Sequence, residues 1–581
     1  MHDLVIRGGT IVDGTGEAAR EGDVAIDGGR IAQVTDAGQA GPGKREIEAK
    51  GRLVTPGWVD IHTHYDGQAT WDPYLSPSGW NGVTTVVMGN CGVGFAPAAP
   101  DRHEWLIELM EGVEDIPGTA LAEGIDWKWE TFPEYLDALE AMPRALDIGA
   151  QVPHGAVRAY VMGDRGAHNE KPSAEEIERM GEIVKEAIQA GALGFSSSRT
   201  IVHRSKSGEV VPGTYATEEE VLGIGRALGE AGSGVFEVAS DLAPEAFGEN
   251  PLAERTELHW MRELSARTGR PVTFACLQNP VDPQQWRRLL DFCSEDAARG
   301  GSVTPQVAPR PAGLLMGLQS SAHPFIRHPA YKEIEHLPLA ERVARMRDPQ
   351  VRARILSQQP DAADMPIALL ILSSFHNLFP FGDPPDYEPA PESSVAARAA
   401  ATGRTPQEVA YDLLLERDGT ELLYFPFLGY AEQNFDALRE MMLHPQAVFG
   451  LSDGGAHCGL ICDASNPSFL LTHWVRDRSR GEKLPLEHVV RAQTKNTAAL
   501  YGLLDRGQLR PGYKADVNVI DFDGLTIHRP EMVFDLPGGA RRLIQKVDGY
   551  EATICSGVVT YEHGEVTGAL PGKLVRGPQA V

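Results

Sequence analysis

The sequence predicts an α/β fold: a (β/α)8 barrel of the TIM type with a small β-sandwich domain formed from both termini. Three observations predict it. Short strand-like runs separated by glycine turns occupy both ends of the chain, apolar runs alternate with amphipathic helical segments between them, and eight such apolar runs can be counted. At 581 residues the chain exceeds one ordinary domain, which fits a large barrel carrying a smaller accessory domain.

The first strand-like runs are 3–7 (DLVIR), 10–13 (TIVD), 23–27 (DVAID) and 30–34 (RIAQV), with a tight turn at Asp27-Gly28-Gly29. The same texture returns at 516–521 (DVNVID), 546–548, 552–555 and 557–561. Two all-β ends around a mixed middle imply one sandwich, since chain ends commonly meet in space. The expected division is 1–54 and 506–581 for the sandwich and 55–505 for the barrel.

Expected barrel strands are 58–62 (WVDIH), 84–88 (TTVVM), 147–152 (DIGAQV), 194–196 (GFS), 235–238 (VFEV), 272–276 (VTFAC), 422–427 (LLYFPF) and 448–452 (VFGLS). Helices over 174–190 and 217–231 fall between them, each with a charged face and an aliphatic stripe. The span from 272 to 422 is too long for one βα step. Residues 285–415 are therefore expected to be partly an insertion, rich in proline at 379–389 (FPFGDPPDYEP). Long barrel loops overhang the C-terminal mouth and shape its pocket.

Hydrophobic residues make up 42% of the chain and charged residues 23%, enough apolar material for a sizeable core. Lys+Arg 53 against Asp+Glu 81 gives a net charge of −28. That surface repels phosphate backbones and anionic headgroups, which argues against nucleic acid and membrane partners. The opening MHDLVIRGGTIVDG lacks the basic and apolar regions of a secretory leader, and no apolar run is long enough to span a bilayer. Six cysteines scattered over this length form no disulfide framework, so a reducing cytoplasm is expected. The expected partner is a small-molecule substrate; a homo-oligomer is compatible with the sequence but not specified by it.

The densest chemistry lies at Val59-Asp-Ile-His62-Thr-His64-Tyr-Asp66. Side chains two apart on a strand leave the same face, so both imidazoles converge where the strand ends. Such a pair either holds a divalent metal at the barrel mouth or is a pair of buried structural histidines. The run 51–64 (GRLVTPGWVDIHTH), with 4–14 (LVIRGGTIVDG) before it, resembles the entry to the barrel in the amidohydrolase superfamily. In that superfamily these two histidines bind metal. The next run, Gly82 to Pro97 with Asn90-Cys91-Gly92 inside it, is similar to the N-acyl-D-amino-acid deacylases, or D-aminoacylases. The resemblance implies a zinc-ligating Cys91; a thiolate beside imidazoles suits zinc, although a buried inert cysteine is the other reading. At 448–457 (VFGLSDGGAH), Asp453 stands at the place of the family's eighth-strand aspartate. That aspartate orients or deprotonates the attacking water and then protonates the leaving nitrogen; an N-cap is the plainer alternative. Resemblance continues through 151–158, 191–196 and 497–521, over nearly the whole chain apart from much of 285–415. It implies one or two divalent ions, zinc first, and a hydrolase of C–N bonds, deacylating N-acyl amino acids, with a cyclic amide as the alternative substrate.

The resemblance breaks at two strands. D-aminoacylases carry further zinc histidines on the fifth and sixth strands, where this chain has Ala239 and Cys276, and a lysine two residues later is here Gln278. Three readings follow. The metal is kept by His62, His64, Cys91 and Asp453, four adequate donors; this is the favoured reading. Alternatively Glu237, of the same strand parity as Ala239, or Cys276 substitutes. Or the scaffold is an impaired binding protein. Arg199, His203, Arg204, Arg310, His323 and His376 are further polar candidates near strand ends or in the insertion, and any of the arginines can clamp a carboxylate. Cys458 and Cys462 lack a second pair and are read as ordinary.

Overall fold

The computed structural model describes residues 1–243, 250–361 and 372–581. Eight parallel strands form one curled sheet in chain order: Trp58–Asp60 (β1), Val83–Met88 (β2), Asp147–Pro153 (β3), Gly194–Arg199 (β4), Val235–Ser240 (β5), Val272–Ala275 (β6), Val303–Val307 (β7) and Val448–Phe449 (β8). Every residue of β2 and β3 is buried, as expected of parallel strands covered on both faces. The ring closes just beyond β8, where the Asp453 N–H donates to His62 O at 3.1 Å and the His64 N–H to Gly454 O at 2.8 Å.

Helices His103–Glu114 (α1), Ala174–Ala190 (α2), Glu218–Ala231 (α3), Glu254–Thr268 (α4) and Gln285–Ala298 (α5) lie among the crossovers. α2 opens on a capping box between Ser173 and Glu176 and stops at Gly191, whose φ of 116° lets its N–H donate to the carbonyls of Ala187 and Ile188. α3 is capped by Thr217 and ends the same way at Gly232. Both helices match their expected spans to within a residue.

The seventh strand differs from expectation. Residues 422–427 are not a barrel strand: Leu423–Leu428 pairs antiparallel with Ala312–Met316 and Phe379–Pro380 in a separate three-stranded sheet. β7 takes the place instead, hydrogen-bonded between β6 and β8. Its sequence, VTPQV, is short and carries a proline and a glutamine, so its apolar signal is weak. The stronger run is apolar because both its faces are covered: Leu423 and Phe425 join the insertion's own core, with Met316, Phe325, Tyr331, Tyr411 and Leu414, and Leu422 and Tyr424 join the main core. α5 and β7, inside the expected 285–415 insertion, therefore belong to the barrel. The segment between β7 and β8 is 308–447, of which 362–371 lie outside the described residues.

The terminal segments share one nine-stranded sheet. Leu53–Pro56 pairs parallel with His2–Ile11 and antiparallel with Val517–Ile520. The two runs expected at 3–7 and 10–13 form the single strand His2–Ile11, broken in register between Ile6 and Gly9, where Gly8 adopts φ 63°. Leu4, Ile6, Val24, Val54, Val517 and Ile554 pack into its core. From the C-terminal part a hairpin, Glu531–Leu536 with Ala540–Ile544, reaches the barrel loops, the Leu543 N–H donating to Cys458 O at 2.6 Å. Residues 571–579 return beneath the barrel, the Val575 N–H donating to Ile148 O of β3 at 2.7 Å.

Candidate metal centre

Beyond β1 the chain stays extended through His62 and His64, and both side chains are almost wholly buried. His62 Nδ1 lies 3.1 Å from Gln306 Oε1 of β7, which turns the ring so that Nε2 faces the barrel mouth. After β2, the turn Gly89-Asn90-Cys91-Gly92 brings Cys91 Sγ to 3.4 Å from His62 Nε2. Cys91 is left-handed, φ 56°, and its N–H donates to Glu237 Oε2 of β5 at 2.9 Å. A Cβ on Gly92 would stand 2.5 Å from the Ser198 nitrogen of β4, so glycine is what lets the turn press onto the sheet. From β8, Asp453 is also left-handed, φ 49°, and directs Oδ1 to 3.4 Å from His62 Nε2 and 3.6 Å from His64 Nε2.

The structure thus brings together all four residues singled out in the sequence. His62, His64 and Cys91 each offer a buried donor atom, mutually within 4.8 Å. Asp453 completes the group from the solvent side, its side chain 23% exposed against 2% or less for the histidines. No helix follows Asp453 directly, which removes the N-cap reading. Behind His64 stands Glu114, the last residue of α1: Oε1 is 3.5 Å from His64 Nδ1, and Oε2 is 3.5 Å from His457 Nε2. His457 Nε2 is in turn 3.9 Å from Asp453 Oδ2.

Acidic groups crowd this centre. Burial drives Asp60 and Asp66 up to about 7 and Glu237 to about 8. Burial, and then the nearby carboxylates Glu237 and Glu114, push the Cys91 thiol well up. Burial lowers His62 to about 4. It lowers His64 too, but Glu114 and Asp453 outweigh it and raise that imidazole to about 9. For Asp453 burial favours the neutral acid, yet His64, His62 and His457 overcome it and hold the carboxylate below its usual range. His64 Nδ1, Glu114 Oε1 and Glu237 Oε1 are buried without a hydrogen-bond partner. Two imidazoles, a thiol and a carboxylate in an acid-rich pocket form a donor set that fits a divalent cation of intermediate softness.

The other candidates have different places. Ala239 offers no donor. Glu237 lies on the Nδ1 side of His62, at 3.9 Å, and holds the Cys91 turn. Cys276 is fully buried within electrostatic reach of Cys293 on α5, outside the donor group. Gln278 is committed to the loops, Oε1 accepting from the Ala431 N–H at 3.0 Å. Arg199 grips Glu257 with bonds of 2.7–3.0 Å, Arg310 pairs with Asp463, and Arg204 donates to Gly208 O. His323 packs edge-on against Tyr331 in the insertion, and His376 lies in a turn at 375–377. His203 alone of these approaches the centre, Nδ1 3.1 Å from Ser198 Oγ and the ring within electrostatic reach of His457 and His64. Sequence reasoning missed Glu114 and Gln306. The first is one of several acids on an amphipathic helix, and the second sits on the unassigned strand.

Residues 45–561 match the model of the amidohydrolase family, and the chain belongs to that family. It is 26% identical to a D-aminoacylase of Alcaligenes xylosoxydans xylosoxydans over 99% of this chain and 97% of the relative. It is 28% identical to an N-acyl-D-aspartate deacylase of the same organism, over 100% and 96%. Among solved structures, an N-acyl-D-glutamate deacylase from Bordetella bronchiseptica, complexed with zinc and a phosphonate inhibitor, aligns over 99% of both chains with a TM-score of 0.63 at 22% identity.

Proposed function

We propose that this chain is a metal-dependent hydrolase that removes the acyl group from N-acyl amino acids, with those of D configuration as the first substrates to test. The observation that carries the reading is the convergence of His62, His64, Cys91 and Asp453 at the barrel mouth. His62, His64 and Cys91 would hold the cation with Asp453 as fourth donor; the zinc in the related glutamate deacylase supports zinc, and the named activities of the relatives support the substrate class. A bound divalent cation supplies Lewis acidity, acidifying water and stabilising negative charge on oxygen.

The chain's own contribution centres on Asp453. Its partly open carboxylate, kept ionised by three neighbouring imidazoles, accepts a proton from the attacking water. It then returns that proton to the departing nitrogen, so the amide becomes a carboxylic acid and an amine. The histidine wall keeps the inner face dry, which strengthens each of these electrostatic interactions. Six buried unpaired cysteines support a reducing, cytoplasmic setting.

A second reading, a cyclic amide substrate, is favoured by Gln278, whose amide is engaged by the loops and presents no cation to a free carboxylate. Metal analysis of the purified protein, with a panel of N-acyl D- and L-amino acids and cyclic amides, tests both. Stoichiometric zinc and chelator-sensitive release of free amino acid are expected. A folded, metal-free protein inert toward the whole panel would refute both readings.

A further inference from the structure

We infer that Glu114 is a positioning residue of the metal centre, its carboxylate holding His64 from behind and bracing His457 beside Asp453. The inference rests on the metal reading above. Glu104 and Glu108 of α1 are exposed, and Glu111 pairs with Lys206, whereas Glu114 turns inward and its side chain is 2% exposed. A carboxylate taken that far from water is costly unless something receives it. Its Oε1 nevertheless makes no hydrogen bond, and neither does His64 Nδ1, the nitrogen it faces at 3.5 Å. Two buried orphans face each other, and a small rotation of the imidazole turns the contact into an N–H···O bond.

The backbone fixes this carboxylate in place. α1 ends at a left-handed Asp115, φ 50°, whose Oδ2 accepts the Gly459 N–H at 2.9 Å, while the His457 N–H donates to Glu114 O. The helix end is therefore docked on the segment that follows Asp453. Glu114 lies on the Nδ1 side of His64, whereas Nε2 faces Asp453 at 3.6 Å, so the carboxylate stands behind the ring and not among the donors. A carboxylate accepting Nδ1–H fixes the tautomer and makes the other nitrogen a stronger ligand. His62 Nδ1 has a neutral amide, Gln306, as its nearest partner at 3.1 Å, with the Glu237 carboxylate farther off at 3.9 Å. The two histidines are thus unequally supported, and His64 has the nearer carboxylate, at 3.5 Å.

The test measures zinc affinity of the metal-free full-length protein by chelator competition, for wild type, Glu114→Gln, Glu114→Asp and Glu220→Gln. Glu220 is a buried carboxylate paired with His154 and Arg158, and so controls for loss of a buried acid. Glu114→Gln is expected to weaken zinc binding by about 10–100-fold. Glu114→Asp should lose less, and Glu220→Gln should lower the melting temperature without moving zinc affinity. Wild-type affinity in Glu114→Gln, with only a shifted melting temperature, would overturn the inference. Should that variant not fold, Glu114→Asp decides, and undiminished affinity there overturns it equally. A wild-type protein that takes up no zinc would instead remove the metal reading itself, and this inference with it.

Discussion

Asp453 occupies the left-handed region, φ 49°, which aspartate tolerates better than most residues, and it is thereby aimed back at two imidazoles instead of along its strand. If it moves the proton, Asp453→Asn keeps the shape and loses the chemistry. With zinc saturating, kcat should fall by about 10²–10⁴-fold, and a loss under tenfold in steady-state assays would assign the step to another group. At this scale the sequence was unevenly legible. The two-residue spacing of His62 and His64 forces them onto one face of the strand, but it takes the family resemblance to single them out as a metal pair. Cys91 and Asp453 follow from family resemblance, since an isolated cysteine or aspartate carries no pattern. Glu114 is invisible, because only the angle at which α1 meets the barrel turns it inward.

The element that most constrains the centre is the turn after β2. Its Cys91 is left-handed, its N–H is caught by Glu237, and Gly92 rests against the backbone of β4. Gly92→Ala must strain a backbone at φ 70° and push a methyl into Ser198, so it should destabilise the fold by about 1–3 kcal/mol. Zinc retention should drop with it. Denaturant melts read the first effect, and an unchanged midpoint would show that the turn is looser than drawn. Elements also mark the limit of pattern reading. Hydrophobicity favours residues 422–427 over β7, because it reports burial without saying against which core. The proline and glutamine of β7 dim a strand whose place is set by its neighbours.

Across the whole molecule, the 308–447 segment is tied to the barrel by buried charge. Glu388 receives Arg478 at 3.0 and 3.1 Å and His473 at 3.1 Å, and accepts the Phe435 N–H at 2.8 Å. Burial disfavours its charge, but His473 and Arg478 outweigh that and bring it to about 2 from 4.5. A depressed carboxylate stabilises the fold fully above about pH 4.5 and loses that contribution as pH falls toward 2. Thermal melts of Glu388→Gln should therefore lie well below wild type at pH 7 and approach it in acid. A gap independent of pH would assign the loss to packing. The global plan, a barrel joined to a sheet from both termini, was legible because period-two and helical patterns alternate over long stretches. The return of 571–579 beneath the barrel was not, since that segment has no periodicity and is ordered by scattered contacts, with β3, with Gly191 and Gly502, and from Arg576 to Asp137 and Glu140.

Closure of the ring joins distant partners: Ser452 and His62 are 390 residues apart, His62 and Gln306 244, Cys91 and Glu237 146. Contacts so far apart in sequence carry a large loop-closure cost. A partial chain ending before β8 has Gln306, Glu237 and Glu114 around its two imidazoles and thiol, yet lacks Asp453. On the metal reading proposed above, a divalent cation would therefore meet all four donors together only once the ring has closed.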